Sequence, residues 1–102
     1  MLMLRITEDA QRDLTDIRAY TRREFGVRQA SLYMGSLKEG FKTLRRHPDI
    51  GFPIDHIKPG YRCFRVQRHG IFYTIAHDVI AVVATLHESQ LPTRHLDQRA
   101  DD

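Results

Sequence analysis

Residues 61–87 read YRCFRVQRHGIFYTIAHDVIAVVATLH. Three strand-like runs can be cut from this stretch, at about 61–68, 71–76 and 79–87. The breaks between them, Arg68-His69-Gly70 and His77-Asp78, are short enough for antiparallel hairpins. In the last run, Val79-Ile80-Ala81-Val82-Val83-Ala84-Thr85-Leu86, apolar residues occupy both alternating faces. A strand of that kind needs cover on both sides, which places it inside the sheet and not at its margin.

Upstream of the meander, Pro48, Gly51, Pro53, Pro59 and Gly60 punctuate the chain, so 48–60 is read as a loop. Before it, Ala30, Met34, Leu37, Phe41 and Leu44 recur at steps of four and three, the stripe of an amphipathic helix that His47-Pro48 ends. Gly35 and Gly40 inside it each cost on the order of 1 kcal/mol relative to Ala, which close packing against another backbone would explain. A further helix precedes it. Thr7 is placed to cap its start, Glu8 and Asp9 suit its positive end, and Arg22 and Arg23 suit its last turn. Ala10, Leu14, Ile17 and Phe25, with Tyr20 or Thr21 between, supply its inner face, and Gly26 ends it in the left-handed region. With so short a break at Gly26, the two helices form an antiparallel hairpin. Leu2, Leu4 and Ile6 alternate as a short strand does. The expected fold is therefore α+β in the order βααβββ: a helical hairpin on one face of a small, mainly antiparallel sheet, with the first strand at an edge of the meander.

A chain of 102 residues has room for one domain. It is taken here as residues 1–96, followed by a frayed acidic tail at 97–102. Residues 1–40 hold seven Lys/Arg against six Asp/Glu, whereas residues 41–95 hold eight against four. That imbalance points to an acidic partner for the later part, or to an ordinary solvated surface. The single cysteine, Cys63, rules out an internal disulfide and suits a reducing compartment. It sits in a strand-like run, as a small half-buried residue would. No apolar run is long enough to span a membrane, and the start lacks the pattern of a signal peptide. The expectation is a cytoplasmic protein.

Catalytic patterns are sparse. The six histidines (His47, His56, His69, His77, His87 and His95) show no metal-binding spacing, so no metal site is expected. Neither G-x-S-x-G nor a phosphate-cradling glycine loop occurs, and no cofactor is indicated. What remains is an ordered set in the final third. Gly60-Tyr61-Arg62 is followed by His69, then Ile71-Phe72-Tyr73, Leu86-His87-Glu88-Ser89 and Arg94-His95-Leu96.

This set resembles the ParE branch of the RelE/ParE superfamily, in which a G-Y-R strand leads to a histidine shortly before an I/V-F-Y triplet. The family pattern then closes with a strand ending in L-H and a tail carrying R-H-L. Asp13-Leu14-x-x-Ile17-x-x-Tyr20 is similar to the family's first helix, and His47-Pro48-Asp49-Ile50-Gly51 to its H-P-x-x-G loop. The resemblance covers roughly residues 4–96. It implies a toxin of a type II toxin–antitoxin module that poisons DNA gyrase by protein contact. It further implies neutralisation by a ParD-like antitoxin whose C-terminal segment wraps the toxin, with no cofactor or metal and no direct DNA binding by the toxin alone.

Under that reading Arg62, His69, His87, Arg94 and His95 are candidates for contact with the target, and Tyr61, Arg65, Phe72 and Tyr73 for contact with the antitoxin. Structural roles stand beside these. Arg62 and His69 can equally hydrogen-bond the loop 48–60, Tyr73 can be a core aromatic with a tied hydroxyl, and His87 can satisfy strand-end carbonyls. Arg94 and His95 follow the sheet on an exposed segment, where structural demand is low. The competing enzyme class is a RelE-type ribosome-dependent endoribonuclease, for which Arg62, Arg65, His87, Glu88 and Arg94 are the available groups. No tyrosine follows Tyr73 to complete that set.

Overall fold

The computed structural model describes residues 2–99. Its elements run β1 (Met3–Ile6), α1 (Glu8–Phe25), α2 (Val27–Arg46), β2 (Phe52–Pro53), β3 (Tyr61–Val66), β4 (His69–Ala76), β5 (Val79–His87) and α3 (Pro92–Leu96). One sheet holds the five strands in the order β1-β5-β4-β3-β2. β1 lies parallel to β5, and the other pairs are antiparallel. The expected α+β architecture is present, with two elements added to it, β2 and α3.

The helical hairpin forms for the reasons its sequence suggests. Thr7 Oγ1 accepts the Ala10 N–H at 3.2 Å, closing the first turn of α1. Gly26, at φ 92°, is the one residue between the helices, and its N–H donates to Arg22 O. The inner stripes bring Ala10 and Ile17 of α1 and Ala30, Leu37 and Leu44 of α2 out of solvent. Thr21, not Tyr20 or Phe25, continues the α1 stripe, and Phe25 is 65% exposed. Gly40 is closely packed, but against a side chain and not the backbone expected: a Cβ there would lie 2.6 Å from Val66 Cγ2. Gly35 has nothing within 4 Å of that position.

Two cores result, one on each face of the sheet. Ala10, Leu44, Ile71, Tyr73, Ile80 and Val82 meet on the helical side. On the other side Ile54, Tyr61, Cys63, Phe72, Val83 and Leu86 are capped by Leu96 of α3. β5 thus has cover on both faces, as its composition requires. The pairing shifts between Phe72↔Ala84 and Tyr73↔Val82, so Val83 is the extra residue of a bulge.

Three local expectations need correction. Within the loop 48–60, Phe52 and Pro53 pair with Cys63 and Arg62 as a two-residue edge strand, a place where proline's missing N–H does no harm. The turn between β3 and β4 is Gln67-Arg68, with Gln67 at φ 54°, so His69 and Gly70 are strand residues. Gly70 stands there for lack of room: a Cβ would come within 2.8 Å of Cys63 Sγ.

The third correction concerns the tail, which is docked through residue 99. Past Ile6 the outer edge of β5 has no neighbouring strand, so its polar groups need other partners. Asp13 Oδ2 accepts the Thr85 N–H at 2.9 Å, and Arg99 donates to Val83 O at 3.0 Å. Arg99 also grips Asp13 with two hydrogen bonds, of 2.6 and 2.9 Å. Lys58 Nζ donates to the carbonyls of Leu96 and Arg99. The rest of the expected acidic tail, residues 100–102, lies outside the described residues. Among the described residues no helix is long and apolar enough to cross a membrane.

Candidate functional site

Most of the sequence candidates lie on β3, β4 and the end of β5, and the structure engages them with the protein itself. His69 opens β4 on the helical face, 8% exposed. Its Nδ1 lies 2.5 Å from the hydroxyl of Tyr33 on α2. The Arg68 N–H donates to the same hydroxyl at 3.3 Å, so Tyr33 ties the imidazole to the β3–β4 turn. Burial, reinforced by the neighbouring His87, lowers the His69 pKa to about 4. The Tyr33 hydroxyl is raised, first by its own burial. His69 therefore presents no charge near neutral pH. This departs from a histidine offered at a hairpin tip, and the cause is that β4 begins two residues earlier than the glycine suggested.

His87 stacks edge-on against His69 with ring centroids 5.3 Å apart. Its Nδ1 accepts the Ser89 N–H at 3.1 Å and lies 2.8 Å from Ser89 Oγ. Its backbone N–H donates to the Gln90 side chain. The role foreseen for His87, satisfying strand-end carbonyls, is not the one these bonds show: its ring accepts an N–H of the turn that follows β5. Beside it Glu88 takes an ion pair from Arg68 at 2.9 Å and another from Arg65 at 3.6 Å.

Arg62 and Tyr73 fasten the loop that precedes β3. Arg62 donates to Gly51 O and, at 3.3 Å, to Asp49 O. The Tyr73 hydroxyl donates to Pro48 O at 2.7 Å and accepts the Gly51 N–H at 3.0 Å. Gly51 has no room for a side chain, since a Cβ would sit 2.6 Å from the Tyr73 hydroxyl. Together these contacts give the H-P-x-x-G stretch its physical meaning. Tyr61, Phe72 and Tyr73, read as antitoxin contacts, are all buried, Tyr73 completely. Tyr61 and Phe72 lie in the core that Leu96 of α3 caps, and Tyr73 lies in the core under the helices. Arg65 alone of that group has a solvent-exposed side chain. Cys63 is buried as well, and desolvation lifts its thiol to about 11, which leaves it unreactive.

Arg94 and His95 lie on α3. Arg94 is exposed without a partner among the described residues, and His95 is half-buried. Asp13, Arg99 and Tyr33 escaped the sequence reading as structural residues. Asp13 could have been found inside D-L-x-x-I-x-x-Y as a carboxylate beside an apolar stripe, but nothing in the sequence links it to Arg99. Among the described residues no group of three or more His, Cys, Asp and Glu side chains is placed to hold a metal ion.

A helical hairpin laid on one face of a five-stranded mixed sheet, with the G-Y-R, I-F-Y and L-H residues turned into cores and turns, defines an α+β domain of RelE/ParE type. The family model described as the ParE toxin of the type II toxin–antitoxin system parDE matches residues 4–92. Toxin ParE1 of Caulobacter vibrioides is 32% identical over 92 residues, covering 90% of this chain and 95% of that one. Toxin ParE of Escherichia coli is 34% identical over 95 residues, covering 91% and 92%. A solved structure, the chromosomal ParDE toxin–antitoxin system from P. aeruginosa, superposes with a TM-score of 0.76 at 19% identity, over 85% of this chain and 96% of that chain. It shares the fold. The chain belongs to the ParE toxin family of type II toxin–antitoxin systems.

Proposed function

We propose that the protein is a cytoplasmic toxin that arrests growth by gripping DNA gyrase, without catalysis, and that a ParD-like antitoxin neutralises it. The observation that carries this choice over the nuclease is the state of the groups a nuclease would use. RNA cleavage through the 2′-hydroxyl needs a proton acceptor, a proton donor and cations converging on one phosphate. Here Arg62 is directed at loop carbonyls, Arg65 is paired with Glu88, and His87 Nδ1 is held by Ser89. Arg94 stands apart on α3. Contact residues, by contrast, need only exposure, and Arg94 and His95 have it in part. The antitoxin is proposed to be an acidic, amphipathic segment ordered on binding, with Arg65 among its contacts. Its affinity then weakens partly with salt, because apolar contacts carry the remainder. Direct DNA binding by the toxin alone is not part of this reading.

The test is purified toxin in two assays. Inhibited gyrase supercoiling with intact transcripts is expected. Transcripts cut at ribosome-bound codons, with supercoiling untouched, would replace this reading with the nuclease.

A further inference from the structure

We infer that the tip of the helical hairpin, residues 18–32, is a docking knob for an acidic cleft on a folded partner protein, the target of the toxin. This rests on the contact reading above.

Every residue from Arg22 to Gln29 is exposed, and a Cβ on Gly26 would touch nothing within 4 Å, so the tip projects beyond the sheet into solvent. It nevertheless carries Tyr20, Phe25, Val27 and Leu32 as exposed large side chains, with Val27 70% exposed. Core packing does not explain them. Thr21 and Ala30 already fill the helix–helix contact at that level. A cluster of apolar side chains standing clear of the core is the mark of a contact surface.

Charge selects the occupant. Residues 18–28 hold four arginines against one carboxylate, Glu24, which pairs with Arg23. Arg18, Arg22 and Arg28 have no partner among the described residues. Of the cations that the sequence places after residue 41, Arg65 and Arg68 are paired with Glu88, and Lys58 and Arg62 are turned onto backbone carbonyls. The hairpin tip gathers three open cations in one place, whereas Arg46 and Arg94 stand singly, at the end of α2 and on α3. A second copy of the chain would set like charges against each other. Bare phosphates would answer the arginines but leave Phe25, Val27 and Leu32 without apolar cover. An acidic protein surface with an apolar floor satisfies both. Shape selects a folded partner over the antitoxin segment: a chain that orders on binding needs a groove or sheet edge to lie in, whereas a convex tip needs a preformed cleft.

Two double variants of the full chain test this, Phe25→Ser with Val27→Ser and Arg22→Glu with Arg28→Glu. Each is measured for thermal unfolding, for affinity to its ParD-like antitoxin, for gyrase binding and supercoiling inhibition, and for growth arrest. Expected are an unchanged unfolding midpoint, antitoxin affinity within about twofold, and gyrase affinity reduced about tenfold or more, with growth arrest lost. Wild-type potency in either folded variant would overturn the inference. So would equal loss of antitoxin affinity, a wild-type dimer that the variants dissolve, or tip-dependent binding to duplex DNA or anionic vesicles. If the wild-type protein leaves gyrase untouched, the proposed target falls. Growth arrest then decides the knob: loss in both folded variants sustains it for a different target, and retention ends it.

Discussion

His69 shows how a single residue links sequence to pH-dependent stability. Its imidazole sits at the strand end under Tyr33, with a pKa lowered from 6.5 to about 4 by burial first and His87 second. Between those two values the unfolded chain binds the proton and the folded one does not. Stability therefore falls as pH drops from about 6.5 towards 4 and levels off below, with a total effect of up to about 3 kcal/mol. His69→Gln keeps a hydrogen-bonding group opposite Tyr33 and removes the titration. Urea unfolding at about pH 7.5 and about pH 4.5 should show the gap between the two narrowing by about 2–3 kcal/mol in the variant. An unchanged gap would mean that other groups set the acid sensitivity. Thr85 offers a second check, because its buried Oγ1 is without a hydrogen-bond partner among the described residues. Thr85→Val leaves the backbone bond to Asp13 in place and should stabilise the fold by about 1 kcal/mol. Lowered stability would show that the hydroxyl has an ordered partner. Residue types near the site were legible in the sequence, and their roles much less so. Arg62 hydrogen-bonds the loop as the sequence suggests and Tyr73 is a core aromatic with a tied hydroxyl, whereas His69 bonds Tyr33 and not the loop. His69 was misplaced because Gly70 looked like a turn, when its lack of a Cβ serves Cys63 instead.

At the scale of elements, the long periodic segments were the readable ones. The stripe through Leu37 and Leu44 spans several helical turns, enough for the pattern to outweigh local accidents. Leu37 is 1% exposed at the centre of that stripe. Leu37→Ala should cost about 2–5 kcal/mol, read as a lower denaturation midpoint. A loss below about 1 kcal/mol would mean that the hairpin repacks around the site or does not depend on it. Short elements were not readable. β2 is two residues held by pairing to β3, with no periodicity to display. α3 is five residues, recognisable afterwards from Pro92 at its first turn. Phe25 was assigned to the inner stripe because its spacing fits. Spacing cannot say where the sheet beneath the helix ends.

On the scale of the whole molecule, the end of the chain does more than present a contact. α3 places Leu96, fully buried, over the second core, and Arg99 ties that cover to Asp13 and to the exposed edge of β5. The Arg99–Asp13 pair has each side chain about one-seventh exposed, and hydrogen bonding to Asp13 raises the arginine further above its ordinary value. Deleting residues from Arg94 onward removes Leu96, at about 2–5 kcal/mol. It also strands the Asp13 carboxylate, which in a well-buried pair costs about 3–5 kcal/mol and somewhat less here. Together these approach the full stability of an ordinary domain, about 5–15 kcal/mol. A truncated chain that has lost toxicity would thus say nothing about contact with a target. The informative variant is Arg94→Ala with His95→Ala, which leaves Leu96 and Arg99 in place. Its unfolding midpoint should stay within a few degrees of wild type, whereas the truncation should lose its cooperative transition or melt tens of degrees lower. If α3 also touches the target, the point variant loses growth arrest while remaining folded. If it keeps full arrest, α3 is a structural lid, and the contact surface lies elsewhere on the molecule.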